Sequence, residues 1–162
     1  MQNGSAAFFR LLANPVKFRL FLLSKLPSAY FSGIRVLNAN ASGCSVSVPF
    51  KWFTRNPFRS TYFACLAMAA EMSTGVLAMA QVYGRKPSVS MLVTGLEARY
   101  YKKATGVTVF TCEDGDGIRN AVETTVATGE GQTIRARSTG RDVNGETVAE
   151  FFVTWSFKSK RS

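Results

Sequence analysis

Residues 61–82 read TYFACLAMAAEMSTGVLAMAQV, an apolar run in which Glu71, near the middle, is the single acid. Most of these residues favour helix, and few are β-branched. The run lies between the turn residues Asn56-Pro57 and the proline stop at Pro87. The sequence therefore predicts one long helix over residues 61–82.

A helix that is apolar on all sides must be buried on all sides, either by lipid or by protein. Against lipid, alanine is more frequent than leucine in this helix, and a carboxylate at the position of Glu71 would lie near the bilayer centre at a high cost. The chain that follows is rich in strand-like and turn-like segments. We therefore predict a central helix enclosed by a β-sheet.

The acid on this helix lies on a stripe of mostly small side chains. The residues three, four and seven positions from Glu71 are Ala64, Ala67, Met68, Thr74, Gly75 and Ala78. The space that they leave is filled either by a second backbone at close approach or by a ligand that reaches the carboxylate. In such surroundings desolvation is expected to raise the pKa of Glu71.

The composition excludes several classes of enzyme. The 162 residues contain no histidine, so Ser-His-Asp and Cys-His nucleophile systems and histidine metal sites are ruled out within this chain. Three widely spaced cysteines indicate neither a disulfide framework nor a zinc site. We expect a single domain of ordinary size with reduced thiols, a cytoplasmic location and no metal. Acid–base chemistry then depends on carboxylates.

The net charge of +10 attracts polyanions such as nucleic acid, an anionic membrane surface or a phosphate-bearing ligand. A solubilising surface explains the same charge. The basic residues are dispersed and follow no nucleic-acid-binding motif, so we expect no nucleic-acid partner.

The N-terminal residues 5–31 alternate apolar clusters with single bases, which predicts two short helices separated by Asn14-Pro15. Packing of these helices on the domain is favoured over contact with a membrane surface. We divide the chain into an N-terminal helical segment, residues 1–30, and a domain of residues 31–162.

Patterns of period two predict six strands, at residues 34–40, 44–50, 89–102, 107–113, 132–142 and 146–158. Short turns join them into three hairpins, the last of which turns at Asn144-Gly145. Residues 117–128 are predicted to form a connecting helix. The whole is an α+β fold in which a curved six-stranded antiparallel sheet wraps around a long central helix, preceded by N-terminal helices.

This order resembles the hot-dog fold of acyl-CoA thioesterases and fatty-acid dehydratases over about residues 30–158. The chain is most similar to a hot-dog family of unknown function and, more distantly, to the phenylacetyl-CoA thioesterase branch. In that branch an Asn, a His-Gly-Gly entrance and a helix acid follow one another, and Asn56, Tyr62-Phe63-Ala64 and Glu71 match their spacing. The His-Gly-Gly residues themselves are replaced. The hairpins at residues 100–106 and 142–149 are also similar.

The resemblance implies hydrolysis of an acyl-CoA thioester with Glu71 as base or nucleophile. Free amides at Phe63 or Ala64 are candidate oxyanion donors. Asn56 either orients the water or carbonyl or is simply a turn residue. The loss of the His-Gly-Gly entrance leaves a second function open, which is binding of acyl-CoA or a lipid-like ligand without turnover.

Geometry adds an expectation about assembly. Phe63 and Glu71 are eight residues apart, which is about 12 Å along a helix, so one helix cannot bring both to one carbonyl. If both act, two antiparallel copies of the helix must meet at the interface of a homodimer, with further pairing into tetramers left open. Four basic residues are candidate contacts for the CoA phosphates, namely Lys102, Lys103, Arg135 and Arg137. The alternative is that they are ordinary solvated surface bases. No cofactor is expected, since CoA enters as part of the substrate.

Overall fold

The computed structural model describes residues 3–160, and it confirms the predicted architecture of one antiparallel sheet wrapped around one long helix. The helices are α1 (Asn3–Ala13), α2 (Pro15–Lys25), α3 (Pro27–Ser32), α4 (Phe63–Val82) and α5 (Gly115–Thr128). The strands are β1 (Arg35–Ala39), β2 (Cys44–Val48), β3 (Val89–Tyr100), β4 (Thr108–Cys112), β5 (Gln132–Arg141) and β6 (Thr147–Ser159).

The strand order in the sheet is β1-β2-β4-β5-β6-β3, so β1 and β3 form its two edges. Two of the three predicted hairpins are confirmed, β1 with β2 and β5 with β6. The third is wrong, because β3 pairs with β6 while β4 lies between β2 and β5. The connection from β3 to β4 crosses the start of α4, where the amide of Thr61 donates to the carbonyl of Ala104 at 2.7 Å, and it therefore cannot close as a tight turn.

Helix α4 is the centre of the core. It is long and apolar enough to cross a membrane by length and composition. In this structure its residues are instead buried by protein, Ala69, Ala70 and Leu77 among them, and the apolar face of β6 supplies Phe151, Val153 and Phe157 to the same core. The long apolar run is thus the core helix of a sheet protein, as predicted.

The N-terminal segment contains three helices rather than two. Asn14 caps α2 as expected, since its Oδ1 accepts a hydrogen bond from the amide of Lys17 at 3.0 Å. The additional helix, α3, begins at Pro27, where proline is well suited to the first helical position. Phe8 and Phe18 are buried against the core. The division of the chain at residue 30 stays a prediction.

Strand β3 lies at the edge of the sheet, and the apolar side chains in its C-terminal half are not covered by the rest of the protein. Leu96 and Tyr100 lie directly opposite the buried Val153 and Ala149, so their side chains are on the core side of the sheet. Leu96 is nevertheless 52% exposed and Tyr100 49% exposed. This half of β3 extends beyond the surface that α4 covers. The apolar sequence of residues 88–101 is therefore not explained by burial on both faces of the sheet, and an interface with a second chain stays a prediction.

Candidate functional site

Glu71 lies in the middle of α4, at the wall of a small apolar cavity. The cavity has a volume of about 110 Å³ and lies between α1, α2, α4 and the start of β3. Glu71 is the one charged residue of a lining that otherwise comprises Phe8, Phe18, Phe21, Leu22, Leu26, Met72, Gly75, Val76, Met79 and Met91. The N-terminal helices therefore form an apolar space beside the acid, which is half-buried, and no second backbone fills this space.

The carboxylate of Glu71 accepts no hydrogen bond from the described residues, whereas its backbone is firmly held. The hydroxyl of Thr74 donates to the carbonyl oxygen of Glu71 at 2.9 Å, and the indole of Trp155 donates to that hydroxyl at 2.9 Å. Burial raises the pKa of the Glu71 carboxyl, as predicted. The site thus contains an acid whose carboxylate has no partner among residues 3–160 and is a stronger base than an exposed glutamate.

Gly75 leaves room beside this acid. A Cβ atom at Gly75 would lie 3.0 Å from Oε1 of Glu71 and 3.3 Å from the Trp155 ring. A methyl group there would crowd both the carboxylate and the indole. The small residue that the sequence places one turn after Glu71 therefore keeps room for the carboxylate itself.

A second, larger cleft lies at the N-terminus of α4. It has a volume of about 690 Å³, and among its lining residues are Asn56, Phe63, Lys102 and Lys103, four of the predicted site residues. The amides of Phe63 and Ala64 donate no hydrogen bond to the residues described, as expected for the first turn of a helix. This end of α4 therefore offers unpaired donors beside a basic cleft.

Asn56 is occupied by its own loop. Its Oδ1 accepts hydrogen bonds from the amide of Phe58 at 3.0 Å and from the amide and hydroxyl of Ser60, both at 3.2 Å. This geometry shapes the turn before α4. Asn56 thus lines the cleft, but its side-chain oxygen already accepts hydrogen bonds from its own loop.

The four predicted phosphate contacts are separated by the structure. Lys102 binds Asp142 at 2.7 Å and also binds Glu146. Arg135 is paired with Glu97 at 3.0 Å and Arg137 with Glu150, and both lie on β5 outside the cleft. Lys103 forms no ion pair within the described residues. Three of the four are therefore already neutralised by carboxylates.

Two tyrosines at the end of β3 belong to the cleft and were not predicted. Tyr100 and Tyr101 line it, and the phenol of Tyr101 donates to Glu150 at 2.6 Å. Hydrogen bonds from Tyr101 and Arg137 lower the pKa of Glu150. The pair of adjacent aromatics just before two lysines was the signal in the sequence. Among residues 3–160 no three cysteine or acidic side chains lie close enough together to share a metal ion.

Within one chain, the two halves of the predicted site do not meet. Glu71 opens to the small cavity and Phe63 to the large cleft, and the two cavities share no lining residue. The separation along the axis of α4 is about 12 Å, as expected for eight residues of helix.

A curved antiparallel sheet of this topology around one central helix defines a hot-dog fold. Within it, the chain belongs to the family DUF4442, described as a domain of unknown function, which matches residues 17–157. No curated protein matches the chain.

Several solved structures are similar. A probable thioesterase of unknown function from Pseudomonas aeruginosa has a TM-score of 0.76 at 20% identity, covering 91% of this chain and 97% of that chain. A protein of unknown function from Chlorobaculum tepidum has a TM-score of 0.73 at 14% identity, covering 90% and 97%. A thioesterase from Haemophilus influenzae has a TM-score of 0.64 at 9% identity, covering 90% and 91%. These similarities establish the fold.

Proposed function

We propose that this protein hydrolyses acyl-CoA thioesters, with Glu71 as the base. The observation that carries the proposal is the unpaired carboxylate of Glu71, held in an apolar cavity that raises its pKa. Glu71 is half-buried, and partial removal of a carboxylate from water without a partner costs stability. Acids with shifted pKa values are concentrated at functional sites. The thioesterases among similar hot-dog structures add support for this reaction class.

The reaction follows from these groups. The Glu71 carboxylate takes a proton from water, and the resulting hydroxide adds to the thioester carbonyl carbon. Unpaired amides at Phe63 and Ala64 stabilise the oxyanion that forms. The carbon–sulfur bond then breaks, the thiolate takes the proton from the Glu71 carboxyl group, and a carboxylic acid and free CoA leave.

Such a site needs two copies of the chain, and edge strand β3 offers the means. Two β3 strands that pair antiparallel across a two-fold axis near their middle bring the Met91 end of one beside the Tyr100 end of the other. Met91 lines the Glu71 cavity, and Tyr100 lines the cleft at the start of α4. The same pairing covers the exposed Leu96. Each active site then takes its acid from one protomer and its amides from the other.

The two ends of the proposed ligand would occupy different spaces, the small cavity at Glu71 and the large cleft at the start of α4. The small apolar cavity suits the acyl end, and the cleft with Arg55 and Lys103 in its lining suits the CoA phosphates. Lys102, Arg135 and Arg137 would contribute only if their carboxylate partners released them. The three cysteines are free and buried, which supports a reducing, cytoplasmic setting.

A second function is binding of acyl-CoA or a lipid-like ligand without turnover. The Tyr62-Phe63-Ala64 sequence at the entrance favours it, because the Phe63 side chain is exposed at the mouth of the cleft where the thioesterase branch has glycine. Binding in the absence of hydrolysis would distinguish this function from the first.

The test is hydrolysis of a panel of acyl-CoA thioesters of increasing chain length, with release of free thiol as the readout. Glu71→Gln keeps the shape of the side chain but removes the base, and we expect a loss of at least about a hundredfold in kcat with substrate binding retained. Glu123→Gln, at an exposed acid on α5, is the matched control and should hydrolyse normally. Equal rates for Glu71→Gln and the parent would reject Glu71 as the base. Binding by a parent that turns over nothing would establish the second function.

A further inference from the structure

The N-terminal part of the chain carries positive charge that is not balanced by any acid. Glu71 is the first acidic residue of the sequence, and the bases that precede it are Arg10, Lys17, Arg19, Lys25, Arg35, Lys51, Arg55 and Arg59. Most of the net charge of +10 therefore lies in the segment that contains α1, α2, α3, β1 and β2.

Helix α2 is apolar on its outer side as well as its inner side. Phe18 and Leu22 are buried against the core, whereas Val16 is 67% exposed and Leu20 61% exposed. Val16 and Leu20 are one turn apart, and the exposed Leu23 continues the same stripe. This outer stripe is exposed to solvent rather than used for packing on the domain, so it is available for contact with a partner.

A chain of aromatic contacts extends this surface from α2 to the turn after β2. The guanidinium of Arg19 lies 4.1 Å from the Tyr30 ring centroid, and the ring of Phe31 lies 5.3 Å from that of Tyr30. Phe53 follows at 6.4 Å from Phe31 and Trp52 at 6.5 Å from Phe53. Trp52 is the last ring in this row of contacts, and its side chain is 77% exposed to solvent. A large aromatic side chain is therefore accessible at this end of the surface.

Exposed bases accompany these apolar side chains. Lys17 follows Val16 on α2, Arg35 lines a groove together with Val16 and Leu20, and Lys51 precedes Trp52. None of these three bases forms an ion pair within residues 3–160. We call the surface formed by Val16, Lys17, Leu20, Arg35, Lys51 and Trp52 the basic apolar face.

We propose that the basic apolar face docks the protein on an anionic lipid surface. Anionic headgroups attract the unpaired bases, while an interfacial tryptophan and aliphatic side chains enter the boundary between headgroups and acyl chains. A second copy of this chain is a poor occupant, because its own face carries the same charge. Nucleic acid would match the bases but leave the aliphatic stripe of α2 exposed to water.

The docked orientation places the membrane against the helices that cover the Glu71 cavity. Phe18, Phe21 and Leu22 of α2 line that cavity from the inner side, and Val16 and Leu20 of the same helix contact lipid from the outer side. Docking itself does not depend on hydrolysis, so the proposal holds whether the protein hydrolyses its ligand or only binds it.

The test uses the full chain with vesicles of phosphatidylcholine alone and of phosphatidylcholine mixed with phosphatidylglycerol. We expect co-sedimentation with the anionic vesicles that weakens as salt is added. A blue shift of tryptophan fluorescence should accompany binding and should vanish in Trp52→Phe, because the other tryptophan, Trp155, is buried.

Two triple variants distinguish the effect of the basic apolar face on vesicle binding from the effect of the overall net charge. Replacing Lys17, Arg35 and Lys51 with Gln should weaken binding to the anionic vesicles by about a hundredfold, since each base near such a surface contributes roughly fivefold. The matched control replaces Arg119, Lys158 and Lys160, which lie outside the face, with Gln and should bind as the parent does. Leu20→Ser should also weaken binding, because the aliphatic stripe enters the lipid.

Several results would overturn the proposal. The first is absence of binding to anionic vesicles, and the second is an equal loss in the face variant and its control. Retention of duplex DNA that depends on the three bases but not on Leu20 would assign the face to nucleic acid. A change of oligomeric state in Leu20→Ser would assign it to self-association.

Discussion

At the scale of single residues, Glu71 is the proposed base, and the same side chain affects the stability of the fold. Its backbone is anchored through Thr74 and Trp155, but its carboxylate has no partner among the described residues. Partial burial of this acid therefore costs the fold stability that no ion pair compensates. That cost is measurable through its dependence on pH.

We predict that Glu71 makes the protein less stable as the pH rises. The unfolded chain ionises near the ordinary pKa of 4.5, while the folded chain ionises only at the raised pKa. Between these two pH values the unfolded state loses its proton first, so the free energy of unfolding falls by about 1.4 kcal/mol for each unit by which the pKa is raised. Below pH 4.5 the contribution is absent.

Urea unfolding of the parent and Glu71→Gln across this range measures the effect. All other acids titrate in both proteins, so the difference between the two curves isolates Glu71. We expect Glu71→Gln to gain stability over the parent as the pH rises. Parallel curves would mean that the folded protein ionises Glu71 as easily as the unfolded chain does.

At the scale of elements, the N-terminal helices and α4 together set the size of the small cavity that is proposed to hold the acyl group. A volume of about 110 Å³ is smaller than the roughly 150 Å³ of a cavity that binds benzene, so only a short acyl group or the end of a longer one fits. Met79 forms part of the wall, and its unbranched side chain is readily replaced.

Met79→Ala is therefore expected to shift the preferred acyl-CoA to longer chains, with a loss of stability of about 2 kcal/mol. The same panel of thioesters measures the change as a ratio of kcat/KM values, or of Kd values if the protein only binds. Met68→Ala, at a half-buried methionine of α4 outside the cavity, is the matched control. The same shift in both variants would mean that the small cavity does not hold the acyl chain.

Strand β3 is the element that decides assembly. A lysine at position 96 would place a charge on the uncovered apolar half of β3, which a partner strand is proposed to bury. Leu96→Lys should give monomers at micromolar concentration by light scattering while the far-UV circular dichroism of the parent is retained. Val143→Lys, at an exposed apolar residue in the turn of the last hairpin, should leave the dimer intact. A dimeric Leu96→Lys would locate the interface elsewhere.

At the scale of the whole molecule, the proposed active site exists only between two protomers. Phe63→Pro removes one oxyanion donor without disturbing the helix, because proline suits the first helical position and the preceding Tyr62 is already extended. Phe63→Ala shortens the ring but keeps the amide and serves as the control.

Mixing two inactive variants then tests the shared site. Glu71→Gln and Phe63→Pro should each lose hydrolysis, and their mixed dimers contain one site with both groups intact. After exchange of subunits we expect about a quarter of the parental rate, since half of the dimers are mixed and each has one working site. Failure to recover activity, in a mixture where exchange is verified, would contradict a site shared between protomers.

Local sequence was enough to determine most of the secondary structure and to single out Glu71, although it did not indicate α3 as a separate helix. The run around Glu71 has no polar face, so it must be buried, and alternation along β6 supplies the apolar surface that buries it. The raised pKa of Glu71 follows from the same local pattern. These features depend on neighbours within a few residues, which a sequence displays directly.

Long-range placement was decided by tertiary structure. The partner of β3 is β6 rather than β4, because the connection between β3 and β4 is held against the loop before α4 by the hydrogen bond from Thr61 to Ala104. The ion pair of Arg137 with Glu150 joins the neighbouring strands β5 and β6, whereas that of Arg135 with Glu97 reaches across β6 to β3. The cavity beside Glu71 is lined by side chains more than 40 residues earlier in the chain. Such contacts depend on the path of the whole chain, and periodicity carries no information about which distant segments meet.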